Sequence, residues 1–167
     1  TSIETEQIIR EAREALADLL GAVPDEIAFG ANATSLAFAV ARAVSRNWRP
    51  GDEIVVSELD HRAGVDPWIT AAADKGVTVR WIEVDPETLT LNYRQLDELI
   101  NDRTVLVSVG LASNVVGTVN DVQLAAKKAK QHGALMVVDA VHAVPHIAID
   151  RGQLGADILL CSVYKFF

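Results

Sequence analysis

The sequence has one cysteine, one methionine and few aromatic residues, and it contains no long apolar run. A single cysteine cannot form an internal disulfide, which is typical of proteins in a reducing compartment, so we expect a cytoplasmic location. No apolar stretch approaches the roughly 20 residues that a membrane-spanning helix requires, and we expect no membrane partner. The first residues show no charged segment followed by an apolar one, so no signal peptide is predicted.

Basic residues are in the minority, because 15 Lys and Arg stand against 23 Asp and Glu and give a net charge of −8. Phosphate backbones are bound by basic surfaces, so nucleic acid is not an expected partner. The glycine pattern GxGxxG is also missing, which weakens a dinucleotide-binding interpretation. Half of the residues are hydrophobic, however, and 167 residues are enough to bury the core of one domain.

Strand-like runs alternate with helical patterns along the chain. Nearly continuous apolar runs at 104–109 and 135–138 predict strands that are covered on both faces, as in a parallel sheet. Shorter runs predict further strands at 27–29, 53–56, 78–84 and from 158 onwards. Periodicity and capping signals predict helices at 3–20, 36–44, 67–74, 122–132 and in a segment that ends at 100. The alternation predicts a three-layer α/β fold with a mostly parallel sheet flanked by helices.

Polar side chains occur at or just beyond the ends of these predicted strands. In open α/β sheets, ligands bind at the carboxyl ends of the strands, so we expect these side chains to share one site. The residues are Asn32, Thr34, His61, Asn114, Asp139, His142, Ser162 and Lys165.

Lys165 and Asp139 carry the most specific chemistry. A lysine amine held beside a buried strand is expected to be desolvated and to act as a nucleophile or Schiff-base partner, whereas a surface lysine that closes the strand is the alternative. Asp139 ends an apolar strand, where a carboxylate needs a cation or a hydrogen-bond donor. It could cap a helix, pair with an arginine or bind a metal with His61, His142 and His146, although their spacing matches no standard metal pattern.

The small-residue turn at 30–35 opens directly into a helix. Backbone N–H groups at such a helix N-terminus bind anions, and Thr34 or Ser35 could either donate a hydroxyl group or cap the helix.

One cofactor would use all of these groups together. Pyridoxal phosphate needs a lysine for its aldehyde and a carboxylate for its pyridine nitrogen. It also needs donors for its phenolic oxygen, a helix N-terminus for its phosphate and an aromatic ring against its face. The groups that could fill these roles are Lys165, Asp139, Asn114 with His142, the turn at 30–35, and His61.

Five stretches resemble the class V branch of the fold type I pyridoxal-phosphate enzymes, the cysteine desulfurase and aminotransferase group. The last two are most similar to the cysteine desulfurase-like subgroup, and the resemblance runs through almost the whole chain. The stretches are Gly30-Ala-Asn-Ala-Thr34, Asp60-His-Arg-Ala-Gly-Val-Asp-Pro-Trp68, Ser113-Asn-Val-Val-Gly117, Val138-Asp-Ala-Val-His-Ala-Val-Pro-His146 and Cys161-Ser-Val-Tyr-Lys-Phe-Phe167.

The resemblance implies a role for each matched residue. Lys165 would form the Schiff base with the cofactor and move the substrate α-proton, and Asp139 would pair with the pyridinium. His61 would stack on the ring and assist proton transfer. The phenolic oxygen would be contacted by Asn114 and His142. The phosphate would be held by the Ala33 backbone with Thr34, Ser162 and Tyr164.

Several positions depart from the family pattern. Many desulfurases have Gln where His142 stands and His where Tyr164 stands, and Asn32-Ala33-Thr34 replaces a Gly-Thr-Thr pattern. These departures bear on the reaction, which the resemblance gives as C–S cleavage of cysteine. A pyridoxal-phosphate aminotransferase or a kynureninase-type lyase is the alternative. A third interpretation is an inactive fragment that serves as a binding or assembly partner. The resemblance also implies an amino-acid substrate and a homodimer.

The resemblance further implies that more of the large domain, and a small domain, follow Phe167. The substrate-carboxylate arginine and the persulfide cysteine of desulfurases would lie there, and Cys161 is expected to pack in the core instead. We therefore interpret 1–167 as a partial pyridoxal-phosphate-binding large domain.

The last predicted strand is expected to have an open edge. Residues 1–167 alone are therefore predicted to be marginally stable or to aggregate, and sedimentation with thermal unfolding tests this. A monodisperse monomer that unfolds cooperatively would contradict it.

Overall fold

A computed structural model describes residues 1–166, and Phe167, the last residue of the predicted lysine motif, lies outside the described residues. The α-helices are α1 (Ser2–Leu20), α2 (Ala33–Val44), α3 (Arg62–Lys75), α4 (Leu96–Leu99), α5 (Val122–Gln131) and α6 (Arg151–Leu154). The strands are β1 (Glu53–Ser57), β2 (Thr78–Ile82), β3 (Val84–Asp85), β4 (Thr90–Leu91), β5 (Thr104–Gly110), β6 (Leu135–Asp139) and β7 (Ile158–Leu160).

Five of these strands form one sheet in the order β2-β1-β5-β6-β7, and every pairing in it is parallel. Parallel neighbours require long crossovers, which α3 supplies between β1 and β2 and α5 between β5 and β6. The predicted fold class, a mostly parallel sheet flanked by helices, is confirmed. In the described part of the chain, β7 pairs with β6 along one edge and forms the border of the sheet.

Two apolar cores lie on the two faces of the sheet. On one face, Val55 and Val107 pack with the small residues of α5. On the other face, Ile54 and Val56 pack with α2 and with Trp68 of α3. Consecutive side chains of β1 therefore enter opposite cores, as the two-residue period of a strand dictates, and the sheet is the middle of three layers.

Three details differ from the sequence-based expectations. Residues 27–29 were expected to be a strand but pair with none in the described region. A short hairpin of β3 and β4 follows β2, where one longer strand was predicted. Helix α3 begins at Arg62 rather than at Pro67, because the His61 side chain caps it and Pro67 lies inside it. None of the described helices is long and apolar enough to cross a membrane.

The amino end of the sheet is held by a buried carboxylate, Glu53 at the start of β1. Its oxygens lie 2.8 Å from Nε of Arg80 on β2 and 2.8 Å from Nε of Arg103, which precedes β5. The amide of Asn101 donates to it at 2.9 Å. Burial raises the pKa of Glu53, but these hydrogen bonds and the two arginine charges outweigh burial and hold it below 4.5. Glu53 therefore ties β1 to both of its neighbours.

We predict that Glu53→Gln lowers the free energy of unfolding by about 2 kcal/mol at neutral pH, because hydrogen bonds to a charged group are lost. A lowered folded-state pKa stabilises the protein above the unfolded value and is lost as pH falls. The difference between the two proteins should therefore narrow between about pH 5 and about pH 3. Denaturant unfolding across this range measures it. The exposed Glu14→Gln is the matched control, and an equal effect of both substitutions would contradict the prediction.

Candidate active site

The carboxyl ends of β6 and β7, the start of α3 and the N-terminus of α2 surround a cleft of about 120 Å³. Parallel strands all end at the same border of the sheet, so segments distant in sequence meet there. Eight of the nine predicted site residues line this cleft, and Asn114 does not. The lining residues are Asn32, Ala33, Thr34, His61, Ala63, Asp139, Val141, His142, Leu160, Ser162, Tyr164 and Lys165.

Asp139 is the last residue of β6 and lies at the floor of the cleft. Its Oδ1 accepts a hydrogen bond from the Val141 N–H at 3.0 Å, and it forms no ion pair with any described residue. Burial raises the pKa of Asp139, although the Val141 N–H and the charges of His142 and His61 oppose the rise. The site thus holds a carboxylate whose negative charge is only partly compensated by the protein.

Gly64 on α3 gives this carboxylate its space. A Cβ atom at this position would lie 2.8 Å from Asp139 Oδ2, which is closer than real Cβ contacts allow. The carbonyl oxygen of Gly64 also accepts a 3.3 Å hydrogen bond from the buried Ser108 hydroxyl of β5. Helix α3 is therefore packed directly against the end of the sheet at the carboxylate.

His61 is the N-cap of α3, and its exposed ring lines the cleft. Its Nδ1 accepts a hydrogen bond from the Ala63 N–H at 3.0 Å. Because a nitrogen that accepts carries no proton, this bond favours the tautomer in which Nε2 carries the hydrogen. The cap therefore fixes both the direction and the protonation pattern of the imidazole.

The N-terminus of α2 forms another wall of the cleft. Asn32, not Thr34 or Ser35, is its cap, because the Asn32 side chain accepts from the Ser35 N–H at 2.8 Å. The N–H groups of Ala33 and Thr34 belong to the first helical turn, which has no intrahelical acceptors. Together with the helix dipole, they form a site suited to an anion.

Lys165 lies on the 3₁₀ turn Val163–Lys165 that follows β7. Its amine is 5.6 Å from the centre of the Tyr164 ring, and its side chain is exposed. The expectation of a desolvated lysine is therefore wrong for the described residues, because the strand ends at Leu160 and the turn carries the lysine outwards. Lys165 and His142 both line the cleft, and burial and the Lys165 charge lower the pKa of His142.

Asn114 lies in a neighbouring depression lined by the 112–117 loop, His142 and His146. The Ser113 hydroxyl accepts from the Val115 N–H at 3.3 Å, and this turn leaves the Asn114 side chain exposed. His142 lines both the cleft and the depression. The role of Asn114 toward the phenolic oxygen stays a prediction.

Cys161 is partly buried and packs against the core on one face of the sheet. Burial raises the pKa of its thiol, and the nearby Asp139 carboxylate raises it further. A thiol in this setting is a weak nucleophile because the thiolate is the reactive form. Packing in the core accounts for Cys161 in this structure. Among the described residues, no three His, Cys, Asp or Glu side chains are grouped so as to hold a metal ion.

Asp60 is a partly buried residue with a buried Oδ2 atom, and the sequence patterns assigned it no role. Its Oδ1 accepts from the Gly110 N–H at 2.9 Å, at the carboxyl end of β5. Burial raises its pKa to about 7, with a further rise from the Asp139 charge. Its position directly before His61 was visible in the sequence, but its contact with Gly110 depends on the fold.

The chain was compared with known protein families, proteins and structures. The family described as Aminotransferase class-V matches residues 1–167. The aminotransferase-like protein FGM3 of Gibberella zeae is 36% identical over 169 residues, which cover 100% of this chain and 42% of that protein. A cysteine desulfurase of Yersinia pestis is 35% identical over 99% of this chain and 41% of its own length.

A solved structure has the same fold. The apo structure of the cysteine desulfurase from Thermococcus onnurineus superposes with a TM-score of 0.89 and 32% identity, covering 95% of this chain and 39% of that one. The chain thus spans about two fifths of the length of the curated relatives that it matches. Because the family match extends over all 167 residues, the chain belongs to the class V aminotransferase family.

Proposed function

We propose that this chain is the cofactor-binding part of a pyridoxal-phosphate enzyme that cleaves the C–S bond of cysteine. The observation that carries the proposal is the convergence of the Asp139 carboxylate, the Lys165 amine and the α2 N-terminus on one cleft. The relatives named cysteine desulfurases support this reaction. Because the chain spans about two fifths of these relatives, we also propose that residues 1–167 are part of a larger cofactor-binding domain. From the family resemblance we propose that the whole protein forms a homodimer.

The residues of the cleft fit the cofactor. Asp139 Oδ2 faces Gly64 at a distance that leaves no room for a side chain, and no described residue neutralises it. A pyridinium nitrogen would supply the missing cation, and its positive charge would favour the ionised carboxylate against the cost of burial. The Ala33 and Thr34 N–H groups would bind the phosphate, with Ser162 and Tyr164 as further donors.

Bound pyridoxal phosphate supplies an electron sink that stabilises negative charge at the substrate α-carbon. Lys165 would hold the cofactor covalently through its amine and then move the α-proton. Because Lys165 is exposed in this structure, its amine would be accessible both to the cofactor and to the substrate. His61 would pack its capped ring against the cofactor, and the Nε2 hydrogen would face the reacting groups. His142, whose pKa is lowered, would present a neutral imidazole beside the lysine.

Transamination is the second candidate reaction. The aminotransferase-like protein of Gibberella zeae matches the entire chain at 36% identity. His142 and Tyr164, the positions that depart from the desulfurase pattern, both line the cleft. Incubation of the protein with cysteine, other amino acids and a keto-acid acceptor separates the two reactions. Reductant-dependent sulfide release supports the desulfurase, whereas production of a new keto acid without sulfide supports the aminotransferase.

We predict that the protein binds pyridoxal phosphate with visible absorption and that borohydride fixes the cofactor to Lys165. Lys165→Ala should remove the covalent attachment and lower turnover at least about 1,000-fold, because the nucleophile and the base are lost together. Mass spectrometry of the reduced protein measures the attachment. Lys127→Ala, on the far side of α5, is the control and should retain it. Covalent retention by Lys165→Ala at another residue would contradict the assignment.

Gly64→Ala provides a test of the carboxylate that does not depend on turnover. The added Cβ would lie 2.8 Å from Asp139 Oδ2, so the carboxylate must move. We predict that pyridoxal phosphate binds at least about 10-fold more weakly, because a displaced charge pairs less well with the pyridinium. Spectroscopic titration measures the affinity. Gly152→Ala on α6 is the control, since its Cβ would meet only the Asp150 side chain. Equal affinities in both variants would contradict the role of Asp139.

A further inference from the structure

The turn between β1 and α3 is attached to the middle of the sheet by Asp60. Its Oδ1 accepts the Gly110 N–H at 2.9 Å, and Gly110 pairs in register with Asp139. A Cβ atom on Gly110 would lie 2.6 Å from Asp60 Oδ1, so glycine leaves space for this carboxyl group. Asp60 therefore reaches the strand position next to the carboxylate of the cleft.

This attachment controls where the next residues lie. His61 follows Asp60 directly and caps α3, and Gly64 is in the first turn of that helix. Among the described residues, the only other hydrogen bond between this helix start and β5 is the longer one from the Ser108 hydroxyl to the Gly64 carbonyl, at 3.3 Å. The position of the His61 ring over the cleft thus depends on the Asp60 contact.

The surroundings of Asp60 favour a neutral carboxylic acid. Its Oδ2 is buried and makes no well-formed hydrogen bond with the described residues. The Ser57 hydroxyl lies beside it and opposes the rise of its pKa, but burial outweighs that effect. The titratable groups that face it from other elements are the Asp139 carboxyl at the end of β6 and the Tyr93 phenol. Both become negative when they ionise, and neither offers a compensating cation. A proton on Oδ2 would avoid the buried charge and provide a donor for the Ser57 oxygen.

We propose that Asp60 is a positioning residue of the site, which holds the His61 turn against β5 and does so as a neutral acid. The proposal rests on the proposed function for its effect on turnover. An ionised Asp60 would place a second negative charge next to Asp139, with no cation to balance it. Activity should therefore fall as pH rises through the ionisation of Asp60.

The first experiment compares Asp60→Asn with Asp60→Ala. The asparagine oxygen can still accept the Gly110 N–H, and the side chain cannot ionise. Asp60→Asn should retain kcat/KM within about 3-fold at pH 6 and should lose the alkaline decrease that the wild type shows with a midpoint near 7. In Asp60→Ala, kcat/KM should fall at least about 10-fold at every pH, because the His61 turn is no longer attached to β5. Asp74→Asn, an exposed position on α3, should match the wild type.

The second experiment measures thermal unfolding against pH and needs no activity. The pKa of Asp60 is raised from 3.8 to about 7 in the folded state. Its contribution to the free energy of unfolding is therefore fully present below about pH 3.8 and is lost as the pH rises to about 7. Between pH 4.5 and pH 7.5 the wild type should therefore lose about 5 °C or more in Tm relative to Asp60→Asn. Asp74→Asn should follow the wild type.

The outcomes separate the two proposals. If the wild type binds no pyridoxal phosphate, the proposed function fails, while the unfolding series still decides the state of Asp60. If Asp60→Asn keeps the alkaline decrease, or if its Tm follows the wild type across pH, the proposal for Asp60 is overturned. It is also overturned if Asp60→Asn is as inactive as Asp60→Ala at pH 6 with the same Tm as the wild type.

Discussion

The arrangement of the cleft depends on one partly buried carboxylate at the end of a parallel strand. Asp139 receives one backbone hydrogen bond and no cation from the described residues, so its burial raises the free energy of the ionised form. The residues around Asp139 lower the free energy of its ionised form but do not neutralise its charge. His61 and His142 contribute favourable charge when protonated, and Gly64 lets the helix approach closely without covering the oxygen. A positive group bound beside Asp139 would offset this cost.

The parallel sheet explains why such a site can be assembled from distant segments. Each strand leaves the sheet at the same border, and the crossover helices return the chain to the opposite end before the next strand. The Glu53 network fastens that opposite end, where β1, β2 and β5 begin. The Glu53 network therefore stabilises the amino ends of the strands, whereas the cleft lies at their carboxyl ends. Changes in the cleft can alter specificity while the buried runs of β5 and β6 still determine the fold.

The sheet and most of the cleft were predictable because they depend on patterns along the chain. The apolar runs of β5 and β6 and the polar residues at strand ends follow from burial and topology. The start of α3 was missed because Pro67 is a strong local signal, whereas the cap by His61 is decided by its geometry. The exposure of Lys165 could not be predicted, because it depends on the turn after β7. The buried Oδ2 of Asp60 could not be predicted either, because it depends on the contact of this residue with Gly110.

Two groups with shifted pKa values, Asp60 and His142, restrict the charge of the cleft. Burial favours the neutral form of Asp60 up to about pH 7 and, with the Lys165 charge, favours neutral His142. If both groups stay neutral, the ionic partners left at the strand ends are Asp139 and Lys165, one of each sign. A cationic ring bound at Asp139 would then meet a carboxylate that is neither repelled by a charged Asp60 nor paired with a charged His142. Such a charge distribution would suit the proposed cofactor, whose positive ring nitrogen would pair with Asp139 while its negative phosphate would bind at the α2 N-terminus.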